Sequence, residues 1–374
     1  MKNLLITGSE GFIGKNLVTM LDTFKDISVN TFNHVTDISL LSEYLKEADY
    51  VIHLAGENRT KDLKNLTINN VDFTSLICKK IKAETQNPDR FIKIIFASSV
   101  QADLDNPYGR SKLEAEKIIK TLSNEKNCMV NIFRLPGVFG KWCKPEYNSV
   151  VATFCYNIAR EIPIRIDDVK TELKLVYIDD VLKNFMLSLN QNDKEIYKTI
   201  KPEYSVSLGE LATQIKSFKS SRENLRIDSM GSGFLKLLYS TYLSYLPSSQ
   251  FSYQLHKNVD VRGKFVEVLK SSIFGQVSYL TINVKQERGG HFHHTKTEKF
   301  LVLKGSALFR FKNLITNEFI EIKILASDTR MVESIPGWAH DIVNNGNEEV
   351  IIMVWSNEIY DPQNPDTIEH GVLS

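Results

Sequence analysis

The chain has 374 residues but only four cysteines, at positions 78, 128, 143 and 155, and no two stand at zinc-ribbon or redox spacing. That scarcity excludes a disulfide framework, and the four read as reduced core or surface thiols. An excess of either charge is also lacking. Lys and Arg number 46 against 45 Asp and Glu, a formal net charge of +1, which argues against a dedicated nucleic-acid or anionic-membrane surface. Nor is there an unbroken run of about 20 apolar residues, which a membrane span requires. The greasiest stretch, Gly233 to Tyr253, is interrupted by Lys236, several serines and Pro247. It reads as a tyrosine-rich segment covered by another domain or subunit. The start, Met1-Lys-Asn-Leu-Leu-Ile-Thr7, is too short before its first glycine to be a secretory leader. These absences together predict a cytoplasmic protein that binds neither nucleic acid nor membrane.

What is present falls into two styles. A chain this long exceeds what one hydrophobic core usually serves, so two domains are expected. The first 240 residues alternate short β-branched runs with helical patterns. Leu4–Thr7 reads as a strand, followed by a glycine turn and a helix to about Leu21. Ser28–Phe32, Tyr50–Ala55 and Phe91–Ala97 read as further strands. Such alternation predicts an α/β, Rossmann-like, doubly wound parallel sheet. From about Phe265 short strands follow one another: Gln276–Val284, Lys299–Leu303, Ala307–Lys312, Ile320–Ile324 and Val350–Trp355. With no long helix among them, this part predicts an all-β sandwich or small barrel. The boundary is placed near Leu246-Pro247, giving domains 1–245 and 246–374.

The first domain opens with Gly8-x2-Gly11-x2-Gly14, directly after a strand and at the start of a helix. Glycine triplets also make ordinary turns, but this is the context a dinucleotide requires. One glycine makes the turn, the next admits the pyrophosphate, and the third lets helix and sheet pack. The helix start at Phe12-Ile13 offers free N–H groups and a positive dipole to the phosphates. NAD enzymes usually hold the ribose 2′-hydroxyl with an acid at the end of the second strand. Here Asn33 and His34 stand at that point and Asp37 only follows. Loss of the anion favours NADP(H). Further on, Tyr108 and Lys112 are four apart, so a helix stacks them on one face. A neighbouring ammonium lowers a phenol pKa, which would suit Tyr108 as a general acid toward an alkoxide. Ser98 and Ser99, at the end of a buried strand, are placed to bond the same substrate oxygen.

With these pieces stand His53-Leu54-Ala55-Gly56, Arg134-Leu-Pro-Gly-Val-Phe-Gly140 and Val176-Tyr-Ile-Asp-Asp180. Together they resemble the extended short-chain dehydrogenase/reductases that act on nucleotide sugars. The resemblance implies a cofactor cleft at Gly8, Gly11, Phe12, Ile13, Gly14, Leu54, Ala55 and Gly56, joined by Asn33, His34 and Asp37. It makes Ser99 the catalytic serine, with Ser98 as the fallback. It makes Tyr108 the acid and Lys112 its helper and a ligand of the nicotinamide ribose. Asn148 falls where that family often contacts the sugar nucleotide. The nine-position step from Ser99 to Tyr108 is shorter than the family's usual insert, which implies a more open sugar pocket.

The second domain carries His291-Phe-His293-x4-Glu298-x6-Gly305, then Pro336-Gly337-x2-His340-x3-Asn344. Alternating His291 and His293 share one strand face, and Glu298 and His340 on other strands can close with them on one divalent metal. His294 competes with His293 but points the other way along the strand. Neutral His and carboxylate suit Zn²⁺, Fe²⁺, Mn²⁺ or Ni²⁺, and Zn²⁺ is preferred because the chemistry below needs no redox change. Both motifs resemble those of cupins. Asp260-Val-Arg262-Gly263-x2-Val-Glu267 is similar to the cupins that epimerise keto-deoxy nucleotide sugars. Many of those lack a metal, so the ion either polarises a ketone or only staples the barrel.

A C4 ketone acidifies the C3 proton of a sugar, so a proton-moving cupin and a ketoreductase share one intermediate. Reduction then traps a reversible epimerisation, a physical reason for fusion. In full length and order the chain resembles the CapF-like family of bifunctional capsular-polysaccharide enzymes. That resemblance implies a UDP-sugar substrate, C3 epimerisation of a UDP-4-keto-6-deoxy-N-acetylhexosamine in the cupin, and C4 reduction by NADPH. It further implies the product UDP-2-acetamido-2,6-dideoxy-L-talose and a homodimer. Two other readings stand beside it: a reductase with a dimerising or sugar-sensing cupin, and a nucleotide sensor on a degenerate reductase fold. The epimerisation base is left open among His293, His340 and a tyrosine such as Tyr279.

Overall fold

The computed structural model describes residues 2–60, 62–191, 195–228 and 230–373. The chain forms two compact units, one of Met1–Lys216 with Gly231–Pro247, the other of Ser217–Met230 with Ser248–Ser374. The main crossing at Pro247 lies two residues past the expected boundary. The short segment Ser217–Met230 groups with the second unit.

In the first unit the strands are β1 (Lys2–Thr7), β2 (Ile27–Phe32), β3 (Tyr50–His53), β4 (Ile92–Ser99), β5 (Cys128–Leu135), β6 (Gly137–Phe139), β7 (Glu172–Tyr177), β8 (Tyr197–Lys198) and β9 (Tyr204–Ser207). The main sheet runs β2-β1-β3-β4-β5-β8 with every pair parallel. A small second sheet runs β6-β7-β9. Runs such as Ile94-Ile95-Phe96 are apolar without alternation because a parallel sheet is covered on both faces. On one face Leu5, Val51, Ile94 and Ile132 pack with the helical residues Leu41, Ile77, Ile81 and Ile119. The strand order reverses at β1, with β2 on one side and β3 on the other. Such a reversal opens a crevice at the carboxyl ends of the strands. Gly8 after β1, Leu54–Gly56 after β3 and the last residues of β4 all emerge there. The greasy stretch after Gly233 forms the helix Gly233–Leu243, and Leu238, Tyr242 and the following Tyr245 are buried.

The second unit holds β10 (Asn258–Asp260), β11 (Gly263–Ser271), β12 (Gly275–Ile282), β13 (Glu287–Phe292), β14 (Glu298–Lys304), β15 (Ser306–Asn313), β16 (Phe319–Leu325), β17 (Met331–Glu333), β18 (Trp338–Val343), β19 (Val350–Ser356) and β20 (Ile368–Glu369). They form two antiparallel sheets, β10-β11-β12-β19-β14-β17 and β16-β15-β18-β13-β20. Leu280, Phe300, Ile352 and Val354 of the first meet Phe309, Phe311 and Ile342 of the second in one core. Each such side chain contributes roughly 1.5–3 kcal/mol on burial. Alternation now decides burial: Ala307, Phe309 and Phe311 point in while their neighbours point out.

Candidate functional site

The reductase-type site is built where β4 meets the helix Pro107–Thr121. Asn106 caps that helix by accepting from the Gly109 N–H (2.8 Å), and Pro107 occupies its first turn. Three successive residues of β4 are then tied to three successive turns. Ala97 accepts through its carbonyl from Lys112 Nζ at 2.7 Å. Ser98 Oγ donates to the buried Glu116 carboxylate. The Ser99 hydroxyl accepts from Gln101 N–H at 3.1 Å and lies close enough to Tyr108 to pull its pKa down. Ser99 therefore faces the tyrosine, while Ser98 serves a different cluster. In that cluster Arg134 grips Glu116 from Nε and Nη2 (3.0 and 2.7 Å), and the Tyr197 hydroxyl donates to it at 3.3 Å.

The electrostatics differ from expectation. Tyr108 stands above, not below, its ordinary pKa, because burial outweighs the pull of Ser99. Lys112 does not lower it, since its ammonium is turned to the Ala97 carbonyl and lies over the Phe96 ring, 4.4 Å from its centre. The phenol is thus fully protonated at neutral pH, the form a proton donor needs. Burial lowers the Lys112 pKa to about 8, while the Glu116 charge works against the fall. His53 is held at about 3 by burial first and the Lys112 charge second, so it is neutral. Thr74 Oγ1 donates to the Asn70 carbonyl (2.6 Å), which makes His53 Nε2, at 2.9 Å, the donor to Thr74. His53 Nδ1 then accepts from Thr7 Oγ1 at 2.7 Å.

The glycine turn fits a pyrophosphate. Gly8 has φ +73°, and a Cβ there would lie 2.6 Å from Ala55 N. A Cβ on Gly14 would lie 2.3 Å from the Gly8 carbonyl oxygen. Either side chain would collide with backbone and force the turn open, whereas Gly11, Phe12 and Ile13 open the helix with no side-chain cap on its N–H groups. At the end of β2, Asn33 accepts from Val35 N–H (3.0 Å) and Asp37 from Ser39 N–H (2.9 Å), so both shape their own turns, and His34 is exposed. Asn148 is exposed. Sequence reasoning missed Asn70. It lies in a π-helical turn, Thr67–Asp72, and is buried. Its Nδ2 donates to the Glu57 carbonyl and to Ser111 Oγ, both at 2.9 Å, so it wires the Gly56 loop to the Lys112 helix. Nothing local in the sequence flags it.

In the second unit the metal-type set is drawn from both sheets. His291 lies on β13, His293 just beyond it and His340 on β18, while Glu298 starts β14 of the other sheet. One donor atom from each of the four lies within 4.8 Å of the others. β13 and β18 set His291 opposite His340 across a bulge at Gly289–His291. Gly289 has φ +103°, and a Cβ there would meet Asp341 Cα at 2.7 Å. His293 is buried and His294 exposed, which decides between those two. Burial, followed by the His340 charge, holds His291 at about 3, leaving a neutral ring with a free lone pair. Burial alone would raise Glu298. Bonds from His293 and His340 and the Lys296 charge outweigh it and keep the carboxylate ionised. His340 Nδ1 is buried with no partner among the described residues. Three imidazoles, an ionised carboxylate and an unpartnered ring nitrogen suit a divalent ion of the zinc type.

Around this set lies a cavity of about 310 Å³, reached by His291, His340, Glu298, Lys296, Arg262 and Arg288. Tyr279 is not among its walls. Its strand neighbours Ser278 and Leu280 line the cavity, so alternation turns Tyr279 to the other face. His293 has both nitrogens engaged, Nδ1 with the Asp366 carbonyl and Nε2 with Glu298.

Comparison with known proteins follows the same division. A model of the NAD-dependent epimerase/dehydratase family matches residues 4–200. A model described as a polysaccharide biosynthesis C-terminal domain matches residues 258–368. The chain is 44% identical over 365 residues, 97% of each chain, to UDP-2-acetamido-2,6-beta-L-arabino-hexul-4-ose reductase of Pseudomonas aeruginosa. It is 27% identical to dTDP-4-dehydro-6-deoxyglucose reductase of Escherichia coli, over 59% of this chain and 82% of that one. Among solved structures it is similar to the capsular polysaccharide assembling protein CapF from Staphylococcus aureus. That match has a TM-score of 0.90 and 37% identity, over 99% of this chain and 100% of the other. A UDP-glucuronic acid 4-epimerase from Bacillus cereus in complex with NAD matches 58% of this chain and 84% of its own, with a TM-score of 0.52 and 20% identity, a likeness of fold alone.

Proposed function

The chain belongs to the NAD-dependent epimerase/dehydratase family, and on that premise we propose a two-step enzyme of capsular polysaccharide synthesis. In its coarse outline it is a nucleotide-sugar enzyme of the reductase/epimerase type. In the finer reading the second unit is a zinc-type cupin that inverts C3 of a UDP-4-keto-6-deoxy-N-acetylhexosamine. The first unit then reduces the C4 ketone with NADPH, giving UDP-2-acetamido-2,6-dideoxy-L-talose, in a cytoplasmic homodimer. The observation that carries this is the 44% identity, end to end, to an enzyme named as the reductase of a 4-ulose.

The bound dinucleotide would supply hydride to C4, held at Gly8, Gly11 and Gly14 with Lys112 on the ribose. The residues do the rest. Ser99 and Tyr108 both address the C4 oxygen, and Tyr108 gives it a proton as the carbonyl becomes an alkoxide. The raised Tyr108 pKa keeps that proton in place until the oxygen is basic enough to take it. In the cavity of the second unit, His291, His293, Glu298 and His340 would hold the ion, which would supply polarisation of the C4 ketone. That activation makes the C3 proton removable by a base on one face and returnable on the other. With His293 and His340 both in that ligand set and Tyr279 turned to the other face of its strand, none of the three candidates considered is left free to be that base.

The deciding experiment incubates the keto-sugar with enzyme in D₂O without NADPH, with and without chelator. Deuterium at C3, lost with chelator, is the expected result. Exchange that survives chelation would leave the ion a structural role. A second reading is favoured by one observation: the relative that spans both units is named for reduction alone. Reduction without any C3 exchange would select that reading, a reductase carrying a non-catalytic second unit.

A further inference from the structure

The last residues of the chain wrap the strand that carries His291 and His293. β20 pairs with β13, setting Ile368 opposite Phe292 and Glu369 opposite His291. His370 N–H then donates to the Gly290 carbonyl at 2.8 Å, and Val372 is buried. One residue does more than pair. Asp366 accepts from the N–H groups of His294 (2.8 Å), Thr295 (2.7 Å) and Lys296 (2.8 Å) and from Thr295 Oγ1 (3.0 Å). Its own carbonyl faces His293 Nδ1. The carboxylate thus fixes the turn between His293 and Glu298, while the backbone of the same residue fixes the His293 ring.

The carbonyl has a chemical consequence. It can only accept, so His293 Nδ1 must carry the hydrogen, and in the neutral ring that a metal ligand requires Nε2 is left to present its lone pair. Nε2 is the nitrogen beside Glu298, 3.3 Å from Oε2. A partner of this kind orients a ligand ring and raises its basicity.

We propose that Asp366 is a positioning residue for a divalent cation, and that the C-terminal strap 366–370 is part of the metal site. The inference rests on the reading of His291, His293, Glu298 and His340 as a metal set. The cation it concerns is of the zinc type, bound through neutral imidazole and carboxylate.

The test measures zinc affinity directly, by competition with a chromophoric chelator, on the full chain stripped of metal. Asp366→Ala keeps the backbone carbonyl but frees it from the 294–296 turn that the carboxylate holds, and should weaken zinc binding by about 10-fold, the low end of what a disturbed partner behind a ligand costs. Asp366→Asn keeps one acceptor oxygen and should fall between it and the parent. Melting of the stripped proteins separates positioning from bracing. A lower melting temperature with parental zinc affinity in both variants would overturn the proposal. Long-range ¹H–¹⁵N spectra of the imidazoles add a second readout. The parent should show His293 protonated at Nδ1, and the Ala variant a mixture. If the parent chain takes up no zinc, the metal reading fails and takes this proposal with it. If the parent binds and the variants bind equally well, only this proposal fails.

Discussion

The two units assemble their chemistry by opposite routes. In the first, Tyr108, Lys112 and Glu116 come from one helix, spaced by four, and meet three consecutive residues of β4. In the second, the four candidate ligands come from three strands in two sheets, and His340 lies 42 residues beyond Glu298. A helix carries its own register, so the first site is specified locally. A sheet borrows its register from pairing, so the second depends on a bulge at Gly289, on β18 and on the strap. Local damage should therefore hurt the first site through one helix, while distant damage can reach the second.

The sharpest way to break this comparison is Tyr108→Phe. It removes the proton donor without disturbing Ser98–Glu116 or Lys112–Ala97, and should cut reduction by about 10²- to 10⁴-fold. Deuterium exchange at C3 should be unchanged. Loss of both activities would mean that the division between units is drawn wrongly.

Next in size is Glu116→Gln. Glu116 is buried and holds Arg134, Ser98 and Tyr197 together. Breaking such a pair leaves Arg134 without its main partner and should cost about 3 kcal/mol, at the lower end because Arg134 is partly exposed. Chemical denaturation of the full chain should show this loss in the transition of the first unit. Zinc affinity should not move.

The mildest prediction concerns pH. Lys112 has a folded pKa of about 8, below its ordinary 10.5. Between those values the unfolded chain binds the proton more readily, so the stability of the first unit rises as pH climbs through that window. Reduction should do the opposite, falling above about pH 8 as the ammonium is lost. A reductase whose rate and stability rose together there would show that Lys112 acts as a neutral group. Rates and melting curves from pH 7 to 10 would decide it.

Much of the first unit was legible. The glycine triplet, the Tyr-x3-Lys spacing and the alternation of strands and helices are local patterns, and their geometry follows from 3.6 residues per turn and period-two strands. The Ser98/Ser99 ambiguity was not resolvable, because adjacent strand residues face opposite ways and only the neighbouring helix says which face holds Tyr108. The sign of the Tyr108 shift was misread for a related reason. Spacing put a cation nearby, but its direction and the burial of the phenol are tertiary facts. In the second unit the fold brings the four residues named from the sequence within reach of one another. Tyr279 was offered as a base and proves to face away, since its register on β12 was unknown.

By itself the sequence determined which side chains are available and at what local spacing: the cradle at Gly8–Gly14, the helix pair Tyr108 and Lys112, and the His291/His293 alternation. Tertiary structure decided what those side chains face. It turned Lys112 to a carbonyl, gave Ser98 to Glu116, hid Asn70 in a π turn, and brought Asp366 back across 73 residues to His293. The physical reason is range. Dihedral preference and periodicity act over a few residues, whereas burial and hydrogen-bond partners depend on segments that meet only after the sheets have paired.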